Sequence, residues 1–192
     1  YEVMWTPSYH PDSCPAASSL KLNFPGENGK PDVKLYWMDG GIIPERPEEL
    51  GADEPLGDGG GGAIITGTKG KLVCGTYGEN PTLLPTSRTK DINVPKTIAR
   101  VPEGHYVQWV NACIAGYGKK EVSSPFEYAG PLTESILMGN LALRSYMIKD
   151  DKGKFIGRKK LLWDAKNMKI TNFDEANQFV KRDYKNGYSL SL

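Results

Sequence analysis

Apolar and polar residues alternate along the first part of the chain. The stretch "SSLKLNF" (Ser18–Phe24) alternates in polarity, and "DVKLYWM" (Asp32–Met38) does the same, with Val33, Leu35 and Trp37 on one side. A period of two predicts β-strands. The intervening "PGENGKP" has turn chemistry, so we predict a β-hairpin with a longer loop.

A second hairpin is predicted after a long loop. Residues 42–62, "IIPERPEELGADEPLGDGGGG", are rich in Pro, Glu and Gly and show no sustained period, which predicts a surface excursion. Long ordered loops in compact domains are often functional. Residues 63–75, "AIITGTKGKLVCG", then form two β-like runs around Thr68-Lys69-Gly70.

The second half of the chain has helical spacing. Apolar residues recur every three or four positions in "EGHYVQWVNACIAG" (103–116) and in "GPLTESILMGNLALRSYM" (130–147), where we expect Pro131 in the first turn. The stretch "KLLWDAKNMKIT" (160–171) predicts two short strands joined by a turn. A last helix is predicted over "DEANQFVKRDYKNG" (174–187).

Strands followed by helices predict an α+β fold, with an open antiparallel β-sheet and helices packed on one face. With 192 residues, of which 39% are hydrophobic, the chain is long enough for one domain with a real core, and we predict a single domain over 1–192. A net charge of +1 with scattered basic residues argues against a nucleic-acid partner. No apolar run approaches the roughly 20 residues that cross a membrane, so no membrane partner is expected.

The glycine run "GDGGGG" resembles a nucleotide-binding loop, because Gly57, Gly59 and Gly62 satisfy G-x-G-x-x-G. That fingerprint works after a strand and at the start of a helix. Here an acidic, proline-containing loop precedes the glycines, and the β-branched run Ile64–Thr66 follows them. A phosphate loop is excluded as well, since Thr68 stands where lysine is required. We predict a flexible segment leading to the second hairpin.

Cysteine and histidine do not form a recognisable metal site. His10 and Cys14 are four residues apart, but a zinc site needs three or four ligands and no second pair is present. Cys113 lies at an apolar position of a predicted helix and Cys74 at the end of a predicted strand. Both are therefore predicted to be small core residues.

Two further patterns leave their role open. Asn140 and Arg144 are four residues apart on one helical face, with Glu134 towards its N-terminus. Such a set either orients a ligand or fixes the helix to its neighbours. Aromatic residues near the start of the chain serve a core, a subunit interface or sugar stacking. They are Tyr1, Trp5, Tyr9, Tyr36 and Trp37.

Several segments, in this order along the chain, resemble one family. They are "ASSLKLNFP", "DVKLYWMDGGIIPERPEEL", "GAIITGTKGKLVCGTYG", "PTLLPTSR", "FEYAGPLTESILMGNLALR" and "LLWDAKNMKITNFDEANQFVKRDYKNGYSL". Together they cover nearly the whole chain and look like the C-terminal part of Gfo/Idh/MocA oxidoreductases, the glucose–fructose oxidoreductase and inositol dehydrogenase family. The resemblance is to the bacterial type with an extended C-terminal domain.

The resemblance implies two domains with different functions. In that family an N-terminal Rossmann domain binds NAD(P). The C-terminal domain has a dihydrodipicolinate-reductase-like fold, whose open antiparallel sheet helps to enclose the substrate and builds oligomers. Family members transfer hydride to or from sugars and polyols, and some cleave glycosides. The family's catalytic lysine sits in a Glu-Lys-Pro motif of the nucleotide domain. In this chain Lys30-Pro31 follows Gly29, so no catalytic or cofactor-binding residue is assigned.

The expectation from the resemblance is a C-terminal domain of an NAD(P)-dependent sugar or polyol oxidoreductase. NAD(P) is expected in the full-length protein and no cofactor in this chain, which is expected to be inactive alone. The resemblance also implies a Rossmann domain upstream. The first residue is Tyr rather than Met, which suggests a trimmed chain, and no signal peptide is visible, so we leave the compartment open between cytoplasm and periplasm.

The expected partners are the protein's own Rossmann domain, a small sugar or polyol, and further copies of the chain bound through the open sheet. Two alternatives are a stand-alone module that binds carbohydrate or protein, and part of an NAD-dependent glycosidase. If residues of this chain contact substrate, the candidates are the polar loop residues His10, Arg46 and Arg88.

Overall fold

A computed structural model describes residues 1–7, 9–10, 12–182 and 184–188. Contacts divide the chain into two compact units. The flanking unit consists of Tyr1–Ile43 and His105–Leu192, and the inserted unit is the continuous segment Pro44–Gly104. The chain combines small antiparallel sheets with few helices, which is compatible with the α+β class. A single domain over 1–192 stays a prediction.

The flanking unit contains an antiparallel sheet of three strands in the order β1-β2-β3. They are β1 (Glu2–Trp5), β2 (Ser19–Phe24) and β3 (Val33–Met38). β2 and β3 pair in unbroken register from Ser19 opposite Met38 to Phe24 opposite Val33. The first predicted hairpin is therefore confirmed, and β1 is an addition that the sequence pattern did not predict.

Helix α1 (His105–Ala115) is confirmed close to its predicted limits. Its side chains are half-buried or exposed, and none of its residues is buried. The prediction of Cys113 as a core residue is wrong, because its helix packs against none of the other helices and strands that the structure describes. Gln108 ties α1 to the following loop, since its side-chain oxygen accepts a hydrogen bond from the Ser123 amide at 2.9 Å.

Helix α2 (Phe126–Tyr146) starts four residues earlier than the predicted 130–147. Its first turn is closed by the carbonyl of Pro125, which accepts a hydrogen bond from the Ala129 amide at 2.8 Å. Pro131 therefore lies inside the helix rather than in its first turn. It has no N–H to donate, so α2 lacks one backbone hydrogen bond there.

The C-terminal segment contains the two predicted short strands, β7 (Trp163–Asp164) and β8 (Lys169–Ile170), which pair with each other. The helix predicted over 174–187 is wrong in length and type within its described residues, where the structure has a 3₁₀-helix over Asp174–Phe179; Asp183 lies outside the described residues. Inside it, the Asn177 amide hydrogen-bonds both backbone groups of the last residue of β8, at 2.8 and 3.0 Å. That side chain ties the segment to the strand pair.

The core of the flanking unit joins residues from both of its segments. Helix α2 packs on β1 and β2, and Gly139 lets it approach the side chain of Leu20. The buried members are Tyr1, Leu20, Leu22, Met138, Ala142, Leu143, Leu161, Ile170, Phe173 and Ala176. The core therefore forms only when the two segments meet.

Strand β3 extends this sheet beyond the reach of α2. Leu35 pairs with Leu22, and Trp37 pairs with Leu20, so these residues share one sheet face. Leu20 and Leu22 are buried, whereas Leu35 is 42% and Trp37 48% exposed. The sheet therefore has a covered apolar half and an uncovered apolar half on the same side.

The inserted unit has its own small antiparallel sheet, in the order β4-β5-β6. The strands are β4 (Ala63–Gly67), β5 (Gly70–Cys74) and β6 (Thr82–Leu83), and a 3₁₀-helix (Thr86–Asp91) follows. Pairing of β4 with β5 confirms the second predicted hairpin. The buried cluster is small and consists of Leu50, Val73 and Leu84. Cys74 is half-buried beside it.

Candidate functional site

His10 is an exposed loop residue of the flanking unit. Its ring nitrogen Nδ1 accepts a hydrogen bond from the Asp12 amide at 3.3 Å and lies 3.7 Å from the Asp12 carboxylate. Both side chains are mostly exposed to solvent. The structure shows no further polar partner of the His10 side chain within the described residues, and a substrate-binding role stays a prediction.

Arg46 and Arg88 both belong to the inserted unit, where they hold loop carbonyls. The Arg46 guanidinium donates to the carbonyls of Gly51 and Glu54. The Arg88 guanidinium donates to the carbonyl of Leu84 at 3.2 Å. Arg46 therefore has a structural role in the loop that follows Ile43, and Arg88 has one at the end of β6.

Glu54 completes this arrangement as an acceptor. Its carboxylate accepts hydrogen bonds from the Thr86 hydroxyl at 2.6 Å and from the Gly51 amide at 2.7 Å. These bonds, with a smaller contribution from nearby Arg46, lower the pKa of Glu54. Arg46, Glu54 and Thr86 thus form one polar cluster that joins the long loop to the 3₁₀-helix.

The glycine run forms an ordered turn around a carboxylate. Asp58 accepts hydrogen bonds from the amides of Gly60, Gly61 and Thr76 and from the Thr76 hydroxyl, at 2.7–3.0 Å. The Thr76 hydroxyl contributes most, followed by the backbone amides, and together they lower the pKa of Asp58 to about 2. Gly57, at φ 76°, takes a left-handed conformation that favours glycine. The glycine run leads into the β4–β5 hairpin as predicted, and Asp58 holds its turn by these hydrogen bonds.

A groove of about 620 Å³ runs along α2 in the flanking unit. Its walls come from α2, from the β7–β8 pair and from the 3₁₀-helix after it. The lining side chains are mainly apolar, and we call this surface the α2 groove. It is lined by Phe126, Ala129, Gly130, Thr133, Glu134, Leu137, Met138, Asn140, Leu141, Arg144, Trp163, Met168, Phe179 and Val180.

Three polar side chains of the α2 groove are those that the helical spacing brought to attention: Glu134, Asn140 and Arg144. The Glu134 carboxylate accepts a hydrogen bond from the Trp163 indole at 2.8 Å. The Arg144 guanidinium lies over the ring of Phe179, 4.3 Å from its centroid. Glu134 and Arg144 therefore fix the helix to its neighbours, and all three side chains also face the groove.

A second cavity of about 390 Å³ adjoins the α2 groove and shares Arg144, Phe179 and Val180 with it. Its remaining walls are Gln178, Lys181 and Arg182. We call Arg144, Lys181 and Arg182 the cation cluster. The apolar groove thus ends at a strongly positive patch.

Tyr9 is hydrogen-bonded to the C-terminal end of α2. Its hydroxyl donates a hydrogen bond to the carbonyl of Leu143. Burial raises the pKa of Tyr9, and the neighbouring positive charge of Arg144 partly offsets that rise. Tyr9 therefore stays neutral at physiological pH and acts as a donor that anchors the last turn of α2.

Sequence reasoning found the polar half of the groove and missed its other wall. Trp163, Met168, Phe179 and Val180 come from segments predicted only as short strands and a helix. Only the tertiary fold brings them to α2. One weak signal was available, since Trp163 is a large aromatic residue in a strand too short to bury it alone.

Comparison with protein-family models finds no match for this chain, and comparison with curated proteins finds none either. In the described parts of the chain, no group of three or more His, Cys, Asp or Glu side chains is arranged to hold a metal ion. Neither α1 nor α2, nor any other described helix, combines the length and apolar character needed to span a membrane.

Proposed function

We propose that this chain is the C-terminal domain of an NAD(P)-dependent sugar or polyol oxidoreductase of the Gfo/Idh/MocA kind. Its dihydrodipicolinate-reductase-like fold would enclose substrate and form oligomers. Two features support the proposal. The family-like segments run in order along nearly the whole chain, and helix α2 packs on one face of an antiparallel sheet in an α+β structure.

The observation that carries the proposal is the uncovered apolar surface of the flanking unit. On β3, Val33, Leu35 and Trp37 are 42–58% exposed, although they continue a buried sheet face. On α1, Trp109 is 63% and Ile114 79% exposed. Contiguous apolar patches of this kind mark surfaces that meet another polypeptide. A Rossmann domain and a second copy of the chain are the partners that the family resemblance implies.

Tyr1 is paired with Leu161 through its backbone. Its nitrogen donates to the Leu161 carbonyl at 2.9 Å and its carbonyl accepts from the Leu161 amide at 2.8 Å, as between paired strands. Burial lowers the pKa of the Tyr1 ammonium below its ordinary value of 8.0, with Lys160 adding to the effect. An uncharged amide nitrogen would make the same hydrogen bond without that penalty.

In the proposed enzyme the nicotinamide cofactor supplies the hydride chemistry, and it is held by the Rossmann domain. Described residues of this chain would supply enclosure, because hydride transfer needs cofactor and substrate held in contact. His10, Arg46 and Arg88 remain the proposed polar contacts to a sugar or polyol. Arg46 and Arg88 would act while also bonded to loop carbonyls.

The test compares the whole reading frame with the chain from Tyr1 onwards. We expect the longer protein to oxidise or reduce a sugar or polyol with NAD(P), and the chain alone to bind neither NADH nor NADPH in calorimetry. Light scattering on both preparations is expected to show oligomers. Tight NADH binding by the chain alone, or a start codon directly before Tyr1, would contradict the proposal.

The stand-alone binding module remains the second candidate, and it is favoured by one observation. Trp5, Tyr36 and Trp37 are each about half-exposed on the three-stranded sheet, and exposed aromatic rings suit sugar stacking. Saturable binding of an oligosaccharide by the chain alone, with no upstream Rossmann domain in the gene, would favour this candidate. Release of nitrophenol from a nitrophenyl glycoside by the full-length protein would instead indicate the glycosidase.

A further inference from the structure

We infer that the α2 groove is a binding site for a small amphipathic anion, with its apolar body along α2 and its acid group at the cation cluster. This inference concerns the flanking unit alone and does not rest on the proposed oxidoreductase function. It follows from the size of the groove, from the character of its walls and from the charges at one end.

Size and lining fit a small ligand. Pockets for small molecules measure roughly 300–1,000 Å³ and combine apolar walls with a few polar groups. The α2 groove measures about 620 Å³ and combines Leu137, Leu141, Trp163 and other apolar side chains with four polar ones. A ligand with a flat or branched apolar body would cover side chains that solvent now reaches, such as Leu137, which is 51% exposed.

The charge at one end selects an acid. Arg144, Lys181 and Arg182 surround the adjoining cavity. Among the described residues, no carboxylate lies within 4.0 Å of these three side chains. The Phe179 ring supports the Arg144 guanidinium from one side, which preorganises its planar donors. A carboxylate, sulfonate or phosphate group would satisfy those donors by charge-assisted hydrogen bonds.

Glu134 gives the groove a direction. It lies ten residues before Arg144 on the same helix, which is about 15 Å along the axis at about 1.5 Å per residue. Its carboxylate is held by the Trp163 indole at 2.8 Å and would repel an anion at that end. The acid group of the ligand is therefore placed at the Arg144 end, and the apolar body points towards Trp163.

The test uses two fluorescent probes that differ only in charge. The first is 8-anilinonaphthalene-1-sulfonate and the second is its uncharged analogue N-phenyl-1-naphthylamine. We expect the sulfonate to bind the native chain more tightly than the amine in calorimetry. Arg144→Gln should weaken the sulfonate about tenfold or more and leave the amine unchanged, since a charge-assisted hydrogen bond is lost. A Lys181→Ala, Arg182→Ala double variant should act in the same direction.

The matched control is Arg158→Gln. Arg158 also stacks on an aromatic ring, 3.7 Å from the centroid of Phe155, but it does not line the groove. This variant should bind both probes as the native chain does. Leu137→Asp, at an exposed position inside the groove, should weaken both probes. Circular dichroism verifies that each variant is folded, so a loss of binding is read only from folded protein.

Four outcomes would overturn the inference. The sulfonate affinity could be the same in Arg144→Gln as in the native chain, or it could fall as far in Arg158→Gln. Equal affinity of the native chain for the two probes would remove the argument from charge. Finally, conversion of an oligomer into a monomer by Leu137→Asp in light scattering would show that a second copy of the chain fills the groove.

Discussion

The two units of this chain differ in the interactions that stabilise each of them internally. The flanking unit has a cluster of ten buried apolar residues, drawn from both of its segments. The inserted unit has only three such residues, and it relies on carboxylates that bind loop backbone and neighbouring side chains. A loop-rich segment can therefore be ordered without a large core when each turn has its own polar anchor.

The polar anchors of the inserted unit share one electrostatic property. Glu49, Glu54 and Asp58 each have a lowered pKa, because hydrogen bonds favour their charged form. The strongest bond differs between them, since Lys71 binds Glu49 while threonine hydroxyls bind the other two. The inserted unit should thus respond to acid, and the flanking unit should respond mainly to changes of apolar volume.

The largest effect is expected from a cavity in the flanking core. Ile170 is fully buried, so Ile170→Ala should lower the free energy of unfolding by about 2–5 kcal/mol. Urea denaturation followed by tryptophan fluorescence measures this, because all four tryptophans of the chain lie in the flanking unit. Leu162→Ala is the control at a 48% exposed position nearby, with an expected change of about 0.5 kcal/mol or less. Equal effects of the two substitutions would contradict the assigned core.

A smaller effect, confined to the inserted unit, is expected from acid acting on Asp58. Its pKa falls from 3.8 to about 2 on folding, so its stabilising contribution is complete above pH 3.8 and is lost as the pH falls through about 2. The amide proton shifts of Gly60, Gly61 and Thr76 in NMR spectra should titrate together with a midpoint of about 2.

Two variants sharpen this measurement. Asp58→Asn should abolish the common titration, and it should loosen the glycine turn because an amide oxygen is a weaker acceptor than a carboxylate. Thr76→Val removes the hydroxyl that makes the largest contribution to the lowered pKa of Asp58. The midpoint of the amide titration should therefore move up towards 3.8. Independent midpoints for the three amides in the native chain would show that Asp58 does not organise the loop.

The smallest effect is expected at the amino group of Tyr1 in the flanking unit. Burial lowers the pKa of this ammonium, so more protons are bound in the unfolded state below pH 8.0, and stability should rise as the pH increases towards that value. Acetylation of the nitrogen keeps the N–H donor to Leu161 and removes the charge. The acetylated chain should have a higher thermal midpoint at pH 7 and lack this rise. An unchanged pH dependence would refute the argument from burial.

Both hairpins could be predicted from sequence because their determinants are local. Alternation of polarity fixes which side chains share a face, and short turns between the runs fix the pairing. Strand β1 lacked such a signal, since its four residues pair with β2 across a long intervening loop. The same holds for β6, which has two residues. Strands β1 and β6 are therefore defined by pairing with a neighbouring strand rather than by a pattern in their own sequence.

Two features could not be predicted from the local sequence. In the segment predicted as the last helix, the Asn177 amide binds the backbone of Ile170 in a neighbouring element. In the glycine run, the Asp58 carboxylate accepts a hydrogen bond from the hydroxyl of Thr76, 18 residues away. Hydrophobic spacing within one segment does not predict a side chain that binds the backbone of a distant segment.

The candidate site was accessible to prediction only on one side. Helical spacing placed Glu134, Asn140 and Arg144 on related positions of one helix, and the structure brings all three to the α2 groove. The opposing wall, with Trp163 and Phe179, depends on how the last third of the chain folds back. The spacing of residues in the sequence did not predict that the cation cluster adjoins the α2 groove, because Lys181 and Arg182 belong to a segment predicted as helix.

The inserted position of Pro44–Gly104 has a consequence for biosynthesis. Strands β1–β3 leave the ribosome first, but the helix residues that cover them, beginning at Met138, follow about 100 residues after β3 ends. At a synthesis rate of about 5–20 residues per second, the nascent sheet remains without α2 for about 5–20 s. During that interval the inserted unit is synthesised in full, while the apolar face bearing Leu20 and Leu22 is open to chaperones or to neighbouring nascent chains.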